Sequence, residues 1–119
     1  MTRWLLVLAL VSCAKKSEAP PPPPDDRPKP TITEAEATRG RDACKAYVDK
    51  VCKCADTSSP LVKECELSRA LPDALRVSRE VSLSPDSSAK DIALAEDSAR
   101  KTIKECFEQL AKLPTLGCR

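Results

Sequence analysis

Arg41-Asp42-Ala43-Cys44-Lys45-Ala46-Tyr47-Val48-Asp49-Lys50-Val51-Cys52-Lys53-Cys54-Ala55 has the pattern of one long amphipathic helix. Ala43, Cys44, Tyr47, Val48, Val51, Cys52 and Ala55 recur at three- and four-residue steps and share one face. No apolar–polar alternation competes with that period. Upstream, Thr33 followed by Glu36 matches a capping box, which places the helix at Glu34–Ala55. Gly40 weakens its first turns by about 1 kcal/mol, so the stable part is expected to begin near Arg41.

Working outward, Thr57-Ser58-Ser59-Pro60 forms a loop, with Pro60 at the first position of a second helix. That helix carries Leu61, Val62, Cys65, Leu71, Leu75 and Val77. Pro72 cannot continue a helical hydrogen-bond ladder, so two pieces are expected to meet near Leu71. Ser82-Leu83-Ser84-Pro85 gives the next break. A third helix follows, from Pro85 or Asp86 to Leu113. Ile92, Ala99, Cys106 and Leu113 recur every seven residues along it, and Ile103 and Leu110 fill the offset position. Asp97/Lys101, Lys104/Glu108 and Glu108/Lys112 stand at i,i+4 spacing on its other face. Pro114 ends it, and Gly117 permits a turn before Cys118. The expected fold is all-α: a small three-helix bundle with antiparallel neighbours, over residues 34–119.

Such a domain is small and short of aromatic residues. Outside Trp4 near the N-terminus, only Tyr47 and Phe107 remain. A core of that size is marginal without covalent help. Downstream of Cys13 the chain has six cysteines, Cys44, Cys52, Cys54, Cys65, Cys106 and Cys118, an even set that suits a disulfide framework. Cys52 and Cys54 are about 200° apart round a helix and should serve different partners. Cys54 and Cys65 flank the first interhelix loop. In an up-down-up bundle the first and third helices are parallel. Cys52 then lies about 4 Å below the end of its helix and Cys106 about 10 Å below its own. A nested set follows: Cys54–Cys65, Cys52–Cys106 and Cys44–Cys118. Cys44–Cys106 with Cys52–Cys118 is the alternative. The nesting and the spacing of Cys54 and Cys65 resemble saposin-type lipid-binding domains, but three cysteines on one helix depart from that pattern.

The first thirteen residues supply a compartment in which disulfides persist. Arg3 precedes an apolar run, Trp4 to Val11, too short to span a bilayer. Leu10-Val11-Ser12-Cys13 resembles the lipobox of bacterial lipoproteins. The resemblance implies a signal peptide over 1–12, removed after the Cys13 thiol has taken a diacylglyceryl group; the new N-terminus then takes an amide-linked acyl chain. It further implies anchorage in the cell envelope. Ala14 follows Cys13 where an aspartate would favour inner-membrane retention, so the outer membrane, facing the periplasm, is the expected location. Residues 13–33 include Pro20 to Pro24, Pro28 and Pro30, and are expected to form a disordered, polyproline II-rich tether reaching roughly 60 Å at about 3.1 Å per residue.

Several chemistries are disfavoured. The net charge of +2, with 32% charged residues of both signs, shows no basic excess of the kind nucleic acids select. There is no histidine, which removes the commonest general base and metal ligand. Cys52-Lys53-Cys54 lies near a helix C-terminus, where the dipole opposes thiolate formation. Ser87-Ser88-Ala89-Lys90 contains the Ser-x-x-Lys spacing of penicillin-binding enzymes without its companion motifs, and the same spacing recurs at Ser98/Lys101 and Ser12/Lys15. No catalytic residue, metal or cofactor is expected. The expected roles are a helical interaction module for a protein partner, tethered to a membrane by lipid, or a small lipid- or ligand-binding module with its groove between the first and third helices.

Overall fold

The computed structural model describes residues 19–24, 26–56 and 60–119. The order is α1 (Glu34–Ala55), α2 (Pro60–Ser68), α3 (Ala70–Leu83) and α4 (Ala89–Lys112), followed by a 3-10 turn, Leu113–Leu116. No strand occurs among the described residues. The architecture is the three-helix bundle, with α2 and α3 as the two pieces of its middle helix.

Each boundary has a local cause. The Thr33 hydroxyl accepts from the Glu36 N–H at 3.1 Å, while Glu34 and Glu36 sit on the positive end of α1. The α2–α3 break falls at Arg69, slightly before the expected Leu71. Proline is tolerated within a first helical turn, so Pro72 sits inside the start of α3 and interrupts the ladder one turn earlier, at Ser68. The Ser68 hydroxyl turns back to the Cys65 carbonyl at 2.8 Å. The start of α4 also differs from expectation. Pro85 and Asp86 form a turn, and the helix begins at Ala89 because Ser88 and Asp91 make a complete capping box. At the other end, Gly117 adopts a left-handed φ of 82°, which lets the Cys118 N–H reach the Leu113 carbonyl at 3.0 Å.

Gly40 corrects the expectation of a late start to α1, which is helical from Glu34. A Cβ on Gly40 would fall on the Ile103 side chain, 2.7 Å from its Cδ1. The missing side chain lets α1 and α4 approach closely, and tertiary packing overrides the weak helix propensity.

α4 packs along both α1 and α3, α2 packs on α1, and α1 and α3 meet at few points. One core cluster joins Ile32, Ala37, Ala43, Cys44, Leu75, Ala99 and Cys106. The other joins Tyr47, Val51, Leu61, Cys65, Leu113 and Cys118. Leu71 packs against both. The seven-residue series Ile92, Ala99 and Cys106 on α4, continued by Leu113 in the 3-10 turn, is buried throughout.

Candidate functional site

All six cysteines downstream of residue 13 are bonded: Cys44 to Cys106, Cys52 to Cys65 and Cys54 to Cys118. The disulfide framework is therefore present, but the nested pairing Cys54–Cys65, Cys52–Cys106 and Cys44–Cys118 is incorrect. Of the alternative set, Cys44–Cys106 forms and Cys52–Cys118 does not. The error lies in the axial register. The nested pairing requires α1 and α4 to end flush. They are in register lower down, where Cys44 meets Cys106 and Gly40 meets Ile103. The last turn of α1 therefore outreaches α4 by about 7 Å at 1.5 Å per residue, and the 3-10 turn and C-terminal tail fill that step. Cys54 faces the tail, and Cys52 faces α2. The two cysteines do serve different partners: Cys52 takes the Cys65 expected for Cys54, and Cys54 takes Cys118.

These bonds fix what Cys52-Lys53-Cys54 can do: both sulfurs are held in separate bridges. Ser87 is likewise engaged, its hydroxyl donating to the Val81 carbonyl at 2.7 Å. Among the described residues, no group of three His, Cys, Asp or Glu side chains is placed to hold a metal ion. No helix among them is long and apolar enough to cross a membrane. Leu10-Val11-Ser12-Cys13, the stretch expected to be a lipidation signal, lies outside the described residues.

Two features were not anticipated. The first is a strap. The packed unit does not begin at Glu34, since the chain ahead of it lies against the bundle. Ile32 is buried in the lower core cluster. Glu96 on α4 is also buried, and its carboxylate accepts from the Thr31 N–H at 2.6 Å, the Thr31 hydroxyl at 2.6 Å and the Ile32 N–H at 3.0 Å. Arg79 on α3 donates to the Ile32 carbonyl and pairs with Glu34 at 3.0 Å. Farther out, Arg27 donates to the Ser84 and Pro85 carbonyls. Burial pushes the Glu96 carboxyl up. The hydrogen bonds from Thr31 and Ile32, with the nearby Arg100 charge, outweigh that and hold it below the usual glutamate range. A sequence signal existed: Glu96 stands seven residues before Ile103, at the offset position filled by Ile103 and Leu110. A carboxylate on an apolar stripe needs buried donors, and the strap supplies them.

The second feature is a groove of about 610 Å³ between the first turns of α1 and the length of α3. Ala37, Pro72, Leu75 and Leu83 provide its apolar surface, and Arg41, Arg69, Arg76 and Arg79 line it as well. The anticipated groove lay between the first and third helices, now α1 and α4. That interface is closed by direct packing and by the Cys44–Cys106 bridge. The open seam is α1–α3, where the two helices meet at few points.

Comparison with family models, curated proteins and solved structures found no match to this chain.

Proposed function

We propose that this chain is an envelope lipoprotein, anchored by acyl chains on Cys13, that presents a small disulfide-stapled helical module to a protein partner. The observation carrying the reading is the cysteine arithmetic. The chain has seven cysteines, and the six beyond Cys13 are consumed in three mutual bridges. None of them is left to pair with Cys13, the one residue that stands in a lipobox-like sequence. Three bridges also suit an oxidising, extracytoplasmic compartment. The proposed location is the periplasmic face of the outer membrane.

The strap refines the geometry of this reading. Because Arg27 to Thr33 lie on the bundle, the spacer available between Cys13 and the domain is nearer 14 residues than 20. At about 3.1 Å per residue it reaches roughly 43 Å when extended. It joins the bundle beside the α3–α4 turn. The end bearing Cys52–Cys65 and Cys54–Cys118 is then the one held away from the membrane, and it is offered to the partner.

Intact mass measurement on the protein isolated from envelopes tests the anchor. The expected mass starts at Cys13, includes a diacylglyceryl thioether and an amide-linked chain, and is short of six hydrogens. A chain retaining residues 1–12, or starting at Cys13 without acyl mass, would overturn the lipoprotein reading. Pulldown from solubilised envelopes tests the module: a stoichiometric protein partner supports it.

A further inference from the structure

We infer that the α1–α3 groove binds a single-chain anionic amphiphile, with its acid head at Arg41 and Arg69 and its acyl chain along α3. Charge is distributed unevenly round the groove. Arg76 bonds Asp73 at 2.7 Å and Glu80 at 2.6 Å, and Arg79 bonds Glu34 at 3.0 Å. Those contacts use all three carboxylates on the rim. Among the described residues, Arg41 and Arg69 reach no carboxylate; Arg41 meets only the Thr38 hydroxyl, at 3.2 Å.

The two uncommitted guanidinium groups belong to the same end of the groove. α1 and α3 run antiparallel: Glu34 at the start of α1 pairs with Arg79 near the end of α3, while Cys52 and Ala55 at the end of α1 lie about one cavity with Arg69, just ahead of α3. Moving two turns along α1 to Arg41 corresponds to moving back along α3 toward Arg69. From Arg69 to Leu83 is about 21 Å at 1.5 Å per residue, a length that suits an extended long acyl chain. The volume is that of a small-molecule site, typically about 300–1,000 Å³. A uniformly acidic peptide fits less well, because Glu34 and Glu80 would meet it at the far end. A ligand with one negative head and an apolar tail puts its charge at Arg41 and Arg69 and none beside Glu34 and Glu80. With the domain tethered beside a bilayer, the membrane is the source of such a ligand. The site itself does not depend on acylation of Cys13, and the two readings can fail separately.

The test is photolabelling of the full-length, disulfide-intact protein in phosphatidylcholine vesicles with a diazirine analogue of palmitic acid, followed by peptide mapping. Label is expected on α3, between residues 70 and 83, and should be displaced by unlabelled palmitate. The double variant Arg41→Gln/Arg69→Gln should lose at least about tenfold of that label, since each guanidinium removes a charge-assisted hydrogen bond. Circular dichroism and intact mass check that the variant keeps its helices and bridges. On the unaltered protein, the matching diazirine fatty alcohol should label α3 about tenfold less than the acid. Equal labelling by alcohol and acid, label confined to residues outside the groove, or full labelling of a correctly folded double variant would each overturn the inference.

Discussion

Where α1 finishes, Cys52 is bonded to α2 and Cys54 to the C-terminal tail, and half-way down Cys44 is bonded to α4. Where α1 begins, no bridge exists. That end is closed by a strap whose Thr31 and Ile32 donate to one buried carboxylate and whose Ile32 side chain enters the core. One half of the bundle is thus held by covalent links that a change of pH leaves intact, the other by hydrogen bonds and charge that a reductant leaves intact. The difference separates two kinds of failure. Losing a bridge should lower the stability of the whole domain, whereas losing the strap should open one end of a bundle that stays folded.

The largest expected effect is on the covalent side. In the chain-entropy account, a bridge stabilises by restricting the unfolded chain, increasingly so for longer loops. Cys44 and Cys106 are 62 residues apart, and Cys52 and Cys65 are 13 apart. The paired variant Cys44→Ala/Cys106→Ala should lose about 4 kcal/mol in urea unfolding, and Cys52→Ala/Cys65→Ala about 3 kcal/mol. A larger loss from the shorter loop would show that native packing round Cys65, rather than chain entropy, sets the contribution.

On the other side, Glu96→Gln removes the charge: the amide oxygen still accepts from the Thr31 and Ile32 N–H groups, which share Oε1, and the NH₂ group donates to the Thr31 hydroxyl. A local loss of about 1 kcal/mol is expected, as charge-assisted hydrogen bonds become neutral ones. Hydrogen exchange should show Thr31 and Ile32 amides losing protection while amides around Val51 and Cys106 keep theirs. Uniform loss of protection would mean that the strap is part of one global unit, and the contrast between the ends would collapse.

The same carboxylate gives the strap a pH dependence with a definite sign. The folded Glu96 carboxyl titrates below its ordinary value of 4.5, so Glu96 binds a proton more readily with the strap released than with it docked. Docking is therefore at full strength above about pH 4.5 and weakens as pH falls from there through the lowered folded value. Exchange of the Ile32 amide, measured across that window and corrected for intrinsic rates, should show protection falling toward acid. In Glu96→Gln the slope should vanish. The three bridges should stay intact across the same range.

The contrast also explains which parts of the molecule were legible in the sequence. Periodicity is local, so the body of α1 from Arg41 to Ala55 and the buried series from Ile92 to Leu113 could be read directly, whereas the firmness of the first turns of α1 depended on what packs on Gly40. The cysteine partners could not, because pairing depends on the axial offset between α1 and α4. That offset is set by a contact of high sequence separation, Gly40 against Ile103. The strap was obscured by composition: Pro28 and Pro30 mark the segment as extended, and extended chain can still dock. Ile32 among polar and proline residues, and Glu96 on an otherwise apolar stripe, were the two exceptions that pointed at each other. The groove was hidden for another reason. Arg41, Arg69, Arg76 and Arg79 each look like ordinary surface residues, and only the splay of α1 from α3 brings them to one cavity.

Gly40 allows the smallest test, because two opposing effects nearly balance there. In an exposed helix, Gly→Ala would stabilise by about 1 kcal/mol. Here the added methyl meets Cγ1, Cγ2 and Cδ1 of Ile103, a β-branched side chain whose χ1 is stiff within α4. Overpacking of that kind costs about 1–3 kcal/mol, so Gly40→Ala should come out destabilising by about 1 kcal/mol net. Truncating the obstacle should reverse the sign: in an Ile103→Ala background the same substitution should stabilise, because the propensity gain remains and the clash is gone. Urea unfolding of the four proteins in this cycle reads the coupling directly. A Gly40→Ala protein as stable as the parent in both backgrounds would mean that Gly40 does not set the α1–α4 distance. The register that brings Cys44 to Cys106 would then have to come from the bridge itself, and the covalent half of the bundle would be positioning the non-covalent half.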